Sequence, residues 1–224
     1  MKLSRGEISE AVGALGWRFV LGALTTSVRV GGLAEATEVA VRAVIAVGGA
    51  ADDHLSIDLR RRRVVFTLRS RATAWVGPVD IESATRISAA VQDLGLATEP
   101  GADRSVQGLE VAIDAMNIAA IRPFWRAVLG YVDETGAAGP EDPLVDPLGE
   151  GPAIWFQQMD APRRQRNRIH LDVTVPHDEA PSRLRAVLAA GGSLVSDARA
   201  PAFWVLADAE DNEVCITTWQ GRDG

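Results

Sequence analysis

Apolar residues recur along the first part of the chain with two alternating periods. Leu33, Ala36, Val39, Ala40 and Ala43 form a stripe at helical spacing, and Gly48-Gly49 ends the segment Leu33 to Val47. A second stripe, Ile81, Ala84, Ile87, Val91 and Leu94, follows Gly77-Pro78. Proline suits a first helical turn, and Asp80 favours the positive end of that helix. Ser4-Arg-Gly-Glu7 has the form of a capping box, so it predicts a short helix through Leu15, stopped by Gly16. Between the helices lie β-formers. Trp17 to Val30, broken at Gly22-Ala23, reads as two antiparallel strands, and His54–Leu59 and Val64–Ser70 read as two more. The order αββαββα predicts an antiparallel sheet with helices on one face.

Ala97 to Val106 is polar, contains Pro-Gly and lacks periodicity, which marks a connection between domains. Beyond it the chain echoes itself. Arg126-Ala-Val-Leu129 ends one helical segment and Arg185-Ala-Val-Leu188 lies in another. Each helix follows a strand, Leu109–Asp114 or Ile169–Val175. Each is followed by strand-like segments such as Ala153–Gln158 and Phe203–Ala207. Paired βαβββ units forming a cup are the simplest account. The expected class is therefore α+β, with one domain over residues 1–97 and a second over 107–219.

Composition narrows the partners. The hydrophobic fraction of 47% fits a folded globular protein, and the net charge of −7 argues against nucleic acid. Arg60 to Arg63 is the counter-signal, but its place between two strands reads as an exposed hairpin turn. The single cysteine, Cys215, excludes an internal disulfide and suits a reducing, cytoplasmic setting. No leader and no membrane-length apolar run is evident, so no membrane partner is expected.

The run from Asp53 to Ile87 resembles pterin-4a-carbinolamine dehydratase. That family's motif is two adjacent histidines and a proline, a strand ending in Thr-His, and a Gly-Leu-Thr-x-x-Asp helix start. The match runs without a gap. His54 fits the second histidine and Asp80 the helix-start acid. Asp53 replaces the first histidine, Leu55 the proline and Arg71 the third histidine. The resemblance implies dehydration of a 4a-hydroxytetrahydropterin, a lyase reaction of tetrahydrobiopterin metabolism. The step needs an acid for the departing hydroxyl and a base for the ring N–H, roles histidine suits near neutrality. His54, Asp53 and Asp80 are the candidate catalytic residues. Arg71 is always protonated, so it can hold a ring or an anion but cannot be a base. With Trp75 it is assigned to substrate binding. A half-buried structural histidine is the competing reading of His54.

Three phrases in the second half resemble the glyoxalase-like branch of the vicinal oxygen chelate superfamily. They are Phe124-Trp125-Arg-Ala-Val-Leu-Gly130, Asn167-Arg-Ile-His-Leu-Asp172 and Asp208-Ala-Glu-Asp-Asn-Glu-Val-Cys215. Placed on that family's metal pattern, Glu110, His170 and Cys215 become candidate ligands, with Gln157 or Gln158 closing the first unit. Zinc is the divalent metal such a set would take. The alternative is that Glu110 and His170 pair across a metal-free organic-ligand site and Cys215 is a small apolar residue. Arg163, Arg164, Arg166 and Arg168 could form an anion-attracting rim, with Arg168 nearest the strand, or a solvated loop. Six tryptophans, Trp155 among them, against one tyrosine suit a pocket for a flat ring, though core packing suits them as well.

Three functions fit these residues. The first is a pterin dehydratase-like lyase fused to a ligand-binding cup. The second is a non-catalytic binding or sequestering protein. The third is a metal-dependent lyase, isomerase or dioxygenase acting in the cup. The first is the family-level expectation, with a pterin or other flat ring as the small-molecule partner. Both resembled families imply a homo-oligomer, dimer or tetramer.

Overall fold

The first helix begins where its cap allows. In the computed structural model, which describes residues 3–100, 106–162 and 169–221, the Ser4 hydroxyl accepts the Glu7 N–H at 3.2 Å. The Glu7 carboxylate accepts the Ser4 N–H at 2.8 Å, completing the box that starts α1 (Arg5–Gly13). Next come β1 (Arg18–Val20), β2 (Ala23–Arg29), α2 (Leu33–Val47), a single turn α3 (Ala51–His54), β3 (Leu55–Arg60), β4 (Arg63–Leu68), α4 (Pro78–Gln92) and β5 (Thr98–Glu99). These lie in the first of two compact units, Met1–Gly108 and Leu109–Gly224.

The sheet order is β1-β2-β4-β3, antiparallel throughout, with β5 also pairing β2. Register sorts its side chains. Leu24 faces Leu68, Val28 faces Val64, Leu55 faces Leu68 and Ile57 faces Phe66. All belong to one apolar cluster with Ala36 and Val39 of α2 and Ala84 and Ile87 of α4, so the helices cover that face. Thr98 and Glu99, expected in the connection, instead extend the sheet. Side chains hold them there: the Thr98 hydroxyl donates to Leu15 O at 2.7 Å and lies 3.2 Å from Ser88 Oγ, which accepts Trp17 Nε1 at 3.0 Å. Gly16 makes room, since its φ is +79° and a Cβ would meet Thr98 O at 2.1 Å.

The second unit runs β6 (Glu110–Ala115), α5 (Ile118–Leu129), β7 (Val132–Asp133), β8 (Leu144–Val145), β9 (Ala153–Gln158), then β10 (Asp172–Thr174), α6 (Ala180–Ala189), β11 (Ser193–Arg199), β12 (Phe203–Ala207) and β13 (Glu213–Thr217). Its two sheets have orders β6-β9-β8-β7 and β10-β13-β12-β11. In each, the first and last strands pair parallel and the remaining pairs are antiparallel. The same βαβββ connection therefore occurs twice. One apolar cluster joins them: Ile113, Ile121 and Phe156 from the first pack with Val187, Leu206 and Ile216 from the second.

A polar lock reinforces that shared core. Asp208 is 3% exposed, and its Oδ2 accepts Trp125 Nε1 at 2.9 Å. Glu210 then accepts the N–H groups of Met116 and Asn117, at 2.7 and 2.6 Å, at the start of α5. The turn between β12 and β13 is thereby fixed to the helix of the other repeat.

Candidate functional sites

The N-terminal candidate is built from a turn, a strand end and a helix start. His54 is not the first residue of a strand, as the alternation predicts, but the last residue of α3. Its Nδ1 lies 2.8 Å from Asp80 Oδ1. The Asp80 side chain is 0% exposed and the His54 side chain 18%. Asp80 Oδ2 accepts the Gly77 N–H at 2.7 Å, so one carboxylate both starts α4 and holds the imidazole. A carboxylate acceptor at this distance suits a hydrogen on Nδ1 of the ring.

The other motif residues are placed differently. Asp53 is exposed, and among the described residues no hydrogen bond or ion pair joins its carboxylate to His54 or Asp80. Arg71 Nε donates to Asp52 O at 2.8 Å, and its Nη2 lies 3.5 Å from Leu55 O. Trp75 meets Phe19 edge-on at 5.5 Å between ring centroids, and the Arg5 guanidinium lies 5.2 Å from its ring centre.

In the second unit alternation decides which side chains leave the core. Ile113 and Ala115 are buried on the helix side, so Glu110, Ala112 and Asp114 point the other way. Parallel register sets Trp155 beside Ala112 and Gln157 beside Asp114. Across the repeat, Val173 and Val175 turn to the core, which puts Asp172 and Thr174 on the opposite face beside Cys215 and Thr217. The hydroxyls of Thr174 and Thr217 lie 2.7 Å apart. Thr217 escaped sequence reasoning because its strand partner is set only by tertiary pairing.

The expected metal donors do not gather. Glu110 and His170 are exposed, Cys215 is buried, and His170 precedes β10 instead of lying within it. Among the described residues no group of three or more His, Cys, Asp or Glu side chains is arranged to hold a metal ion. Glu110, His170 and Cys215 are thus not brought together as a ligand set among the described residues. Arg168 and the arginines before it, from Arg163, lie outside the described residues. Among the described residues no helix is long and apolar enough to cross a membrane.

Residues 110–217 match the model of a family described as glyoxalase-like domain. Over that segment the chain is similar to a glyoxalase-like domain. A glyoxalase/bleomycin resistance protein/dioxygenase family enzyme from Burkholderia phytofirmans is similar in structure to it. That protein is 19% identical, with 49% of this chain and 95% of that one covered and a TM-score of 0.40. A fosfomycin resistance protein from Listeria monocytogenes, solved with Mn(II) and a sulfate ion, is 12% identical over 50% of this chain and 90% of its own, with a TM-score of 0.40. A transcriptional coactivator/pterin dehydratase from Brucella melitensis is 27% identical over 40% of this chain and 98% of its own, with a TM-score of 0.36. No curated protein matches the chain. At these TM-scores, what either half of the chain does rests on its own residues.

Proposed function

We propose that the N-terminal unit is a carbinolamine dehydratase of the pterin type, in which His54 carries the proton and Asp80 orients it. The observation that carries this reading is the 2.8 Å contact between His54 Nδ1 and a fully buried Asp80 carboxylate. In the reaction the C4a–O bond of the hydroxytetrahydropterin breaks and the N5 proton is lost, so water leaves and a double bond forms. Nε2 of His54 can take the ring proton and return one to the departing hydroxyl, since one imidazole can serve both ends of a proton transfer. Asp53, exposed and ahead of His54, is a further proton acceptor in this scheme, and Trp75 supplies a ring surface for the flat substrate.

The glyoxalase-like domain has the complementary role of holding a small organic ligand through the faces of its two sheets turned from the core, one carrying Trp155 and Gln157 and the other Thr174 and Thr217. Hydroxyl, amide and indole groups suit such a ligand better than they suit a cation. Self-association belongs to the same reading, because α2 leaves Val41, Val44 and Ile45 exposed. The test is turnover of 4a-hydroxytetrahydropterin by the full chain, followed by absorbance. His54→Ala is expected to slow it by about two to four orders of magnitude, the usual contribution of a positioned acid–base group. Wild-type protein with no turnover would sink the dehydratase reading and favour a binding protein.

A further inference from the structure

A single helical turn does not hold itself. Nucleating a helix fixes several dihedrals for one hydrogen bond, so a turn as short as α3 persists only through bonds made to it from elsewhere. α3 follows the 3-10 turn Gly48–Ala50, whose Gly48 O accepts the Ala51 N–H, and further bonds reach it from the three-residue segment 69–71. The N–H of Arg69 donates to His54 O at 3.0 Å, and the N–H of Arg71 donates to Asp53 O at 2.9 Å. The Arg71 side chain then reaches further along the same turn, with Nε on Asp52 O at 2.8 Å and Nη2 by Leu55 O at 3.5 Å. Four consecutive carbonyls, those of residues 52 to 55, thus face donors of Arg69 and Arg71.

From this geometry we infer that Arg71 is the positioning residue for His54, an assignment that rests on the acid–base reading of that histidine. The imidazole is fixed at both ends: Asp80 grips Nδ1, and Arg71 pins the backbone turn that carries it. An imidazole at position 71 could not do this, because a guanidinium directs several N–H donors from one plane while a neutral imidazole has one. Replacing the motif's third histidine by arginine exchanges a proton carrier for a clamp. Its guanidinium faces main-chain oxygens, so it acts on the reaction through His54.

The test reads the His54 imidazole directly in the full chain. Nitrogen-15 chemical shifts, assigned by their loss in His54→Ala and recorded where the ring is neutral, report the share of the Nδ1–H form. Wild type is expected to hold that form almost alone. Arg71→Ala should mix in the Nε2–H form, with Arg71→Lys intermediate because it keeps one donor group. In turnover, Arg71→Ala should lower kcat about tenfold or more with KM within about twofold of wild type, the pattern of a lost transition-state contribution. An unchanged Nδ1–H share in Arg71→Ala would overturn the inference, and so would a raised KM with kcat preserved. Should Arg71→Ala not fold, Arg71→Lys decides: a wild-type tautomer share in that variant overturns the clamp. The shift measurement needs no substrate. A chain without turnover whose tautomer still depends on Arg71 would therefore end the catalytic reading and uphold the positioning role.

Discussion

Asp80→Asn separates the two tasks of one carboxylate. In the folded chain Oδ2 caps α4 through the Gly77 N–H and Oδ1 takes His54 Nδ1, with the side chain 0% exposed. An amide of the same shape keeps one oxygen, and the Gly77 N–H claims it because a buried cap left unmade costs about 0.5–2 kcal/mol. The amide NH2 then faces His54 Nδ1 and can only donate. The ring must answer with a lone pair at Nδ1, which moves its hydrogen to Nε2, where the base is needed. Stability should fall by no more than about 1 kcal/mol, since the cap survives and the buried amide stays paired. Turnover should fall about 10³–10⁴-fold, the cost when an orienting carboxylate is swapped for its amide and the wrong tautomer results. The assay is hydroxytetrahydropterin dehydration alongside imidazole nitrogen-15 shifts on the same sample. A flipped tautomer with wild-type turnover would falsify the reasoning, because the base would then work without its lone pair.

Two further predictions concern the second unit. Asp208→Ala should destabilise the unfolding transition of residues 109–224 by about 2–4 kcal/mol, because it leaves the buried Trp125 Nε1 and two turn N–H groups without their acceptor. A double-mutant cycle with Trp125→Phe in urea should return a coupling of about 1–2 kcal/mol, and a coupling near zero would mean the indole bond contributes nothing. Acid should unfold this domain early. The Arg122 hydrogen bond foremost holds Asp133 below the ordinary carboxylate range; burial pushes Asp146 up, but the N–H groups of Leu148, Gly151 and Glu150 outweigh it and leave Asp146 lowered too. A carboxylate depressed in the folded state adds stability above its unfolded value, and loses it as pH falls through the folded one. Denaturant midpoints should thus drop below about pH 4, and Arg122→Ala should flatten that slope. An Arg122→Ala slope as steep as wild type would remove Asp133 from the account.

Local pattern was enough to determine much of this protein. Helical stripes gave α2 its bounds Leu33–Val47, Ser4 and Glu7 fixed the start of α1, and Gly77-Pro78 with Asp80 fixed the start of α4. The echo of Arg126-Ala-Val-Leu129 in Arg185-Ala-Val-Leu188 announced a repeat that the strand orders then displayed twice. These features are legible because periodicity and capping act over a few neighbouring residues.

The remainder was decided by contacts between residues far apart in the chain. That Arg71 would bond to carbonyls around His54 could not be read from its charge, since a guanidinium serves an anion, a ring or a main-chain oxygen equally well. Whether Glu110, His170 and Cys215 share a site depends on where separate strands begin, and β10 begins after His170, not before it. Asp208 reads in sequence as one more turn acid, yet it is buried against Trp125, 83 residues away. Sequence spacing specifies neighbours along an element; only the pairing of strands and the packing of helices selects which of two faces a side chain joins and which distant donor it meets.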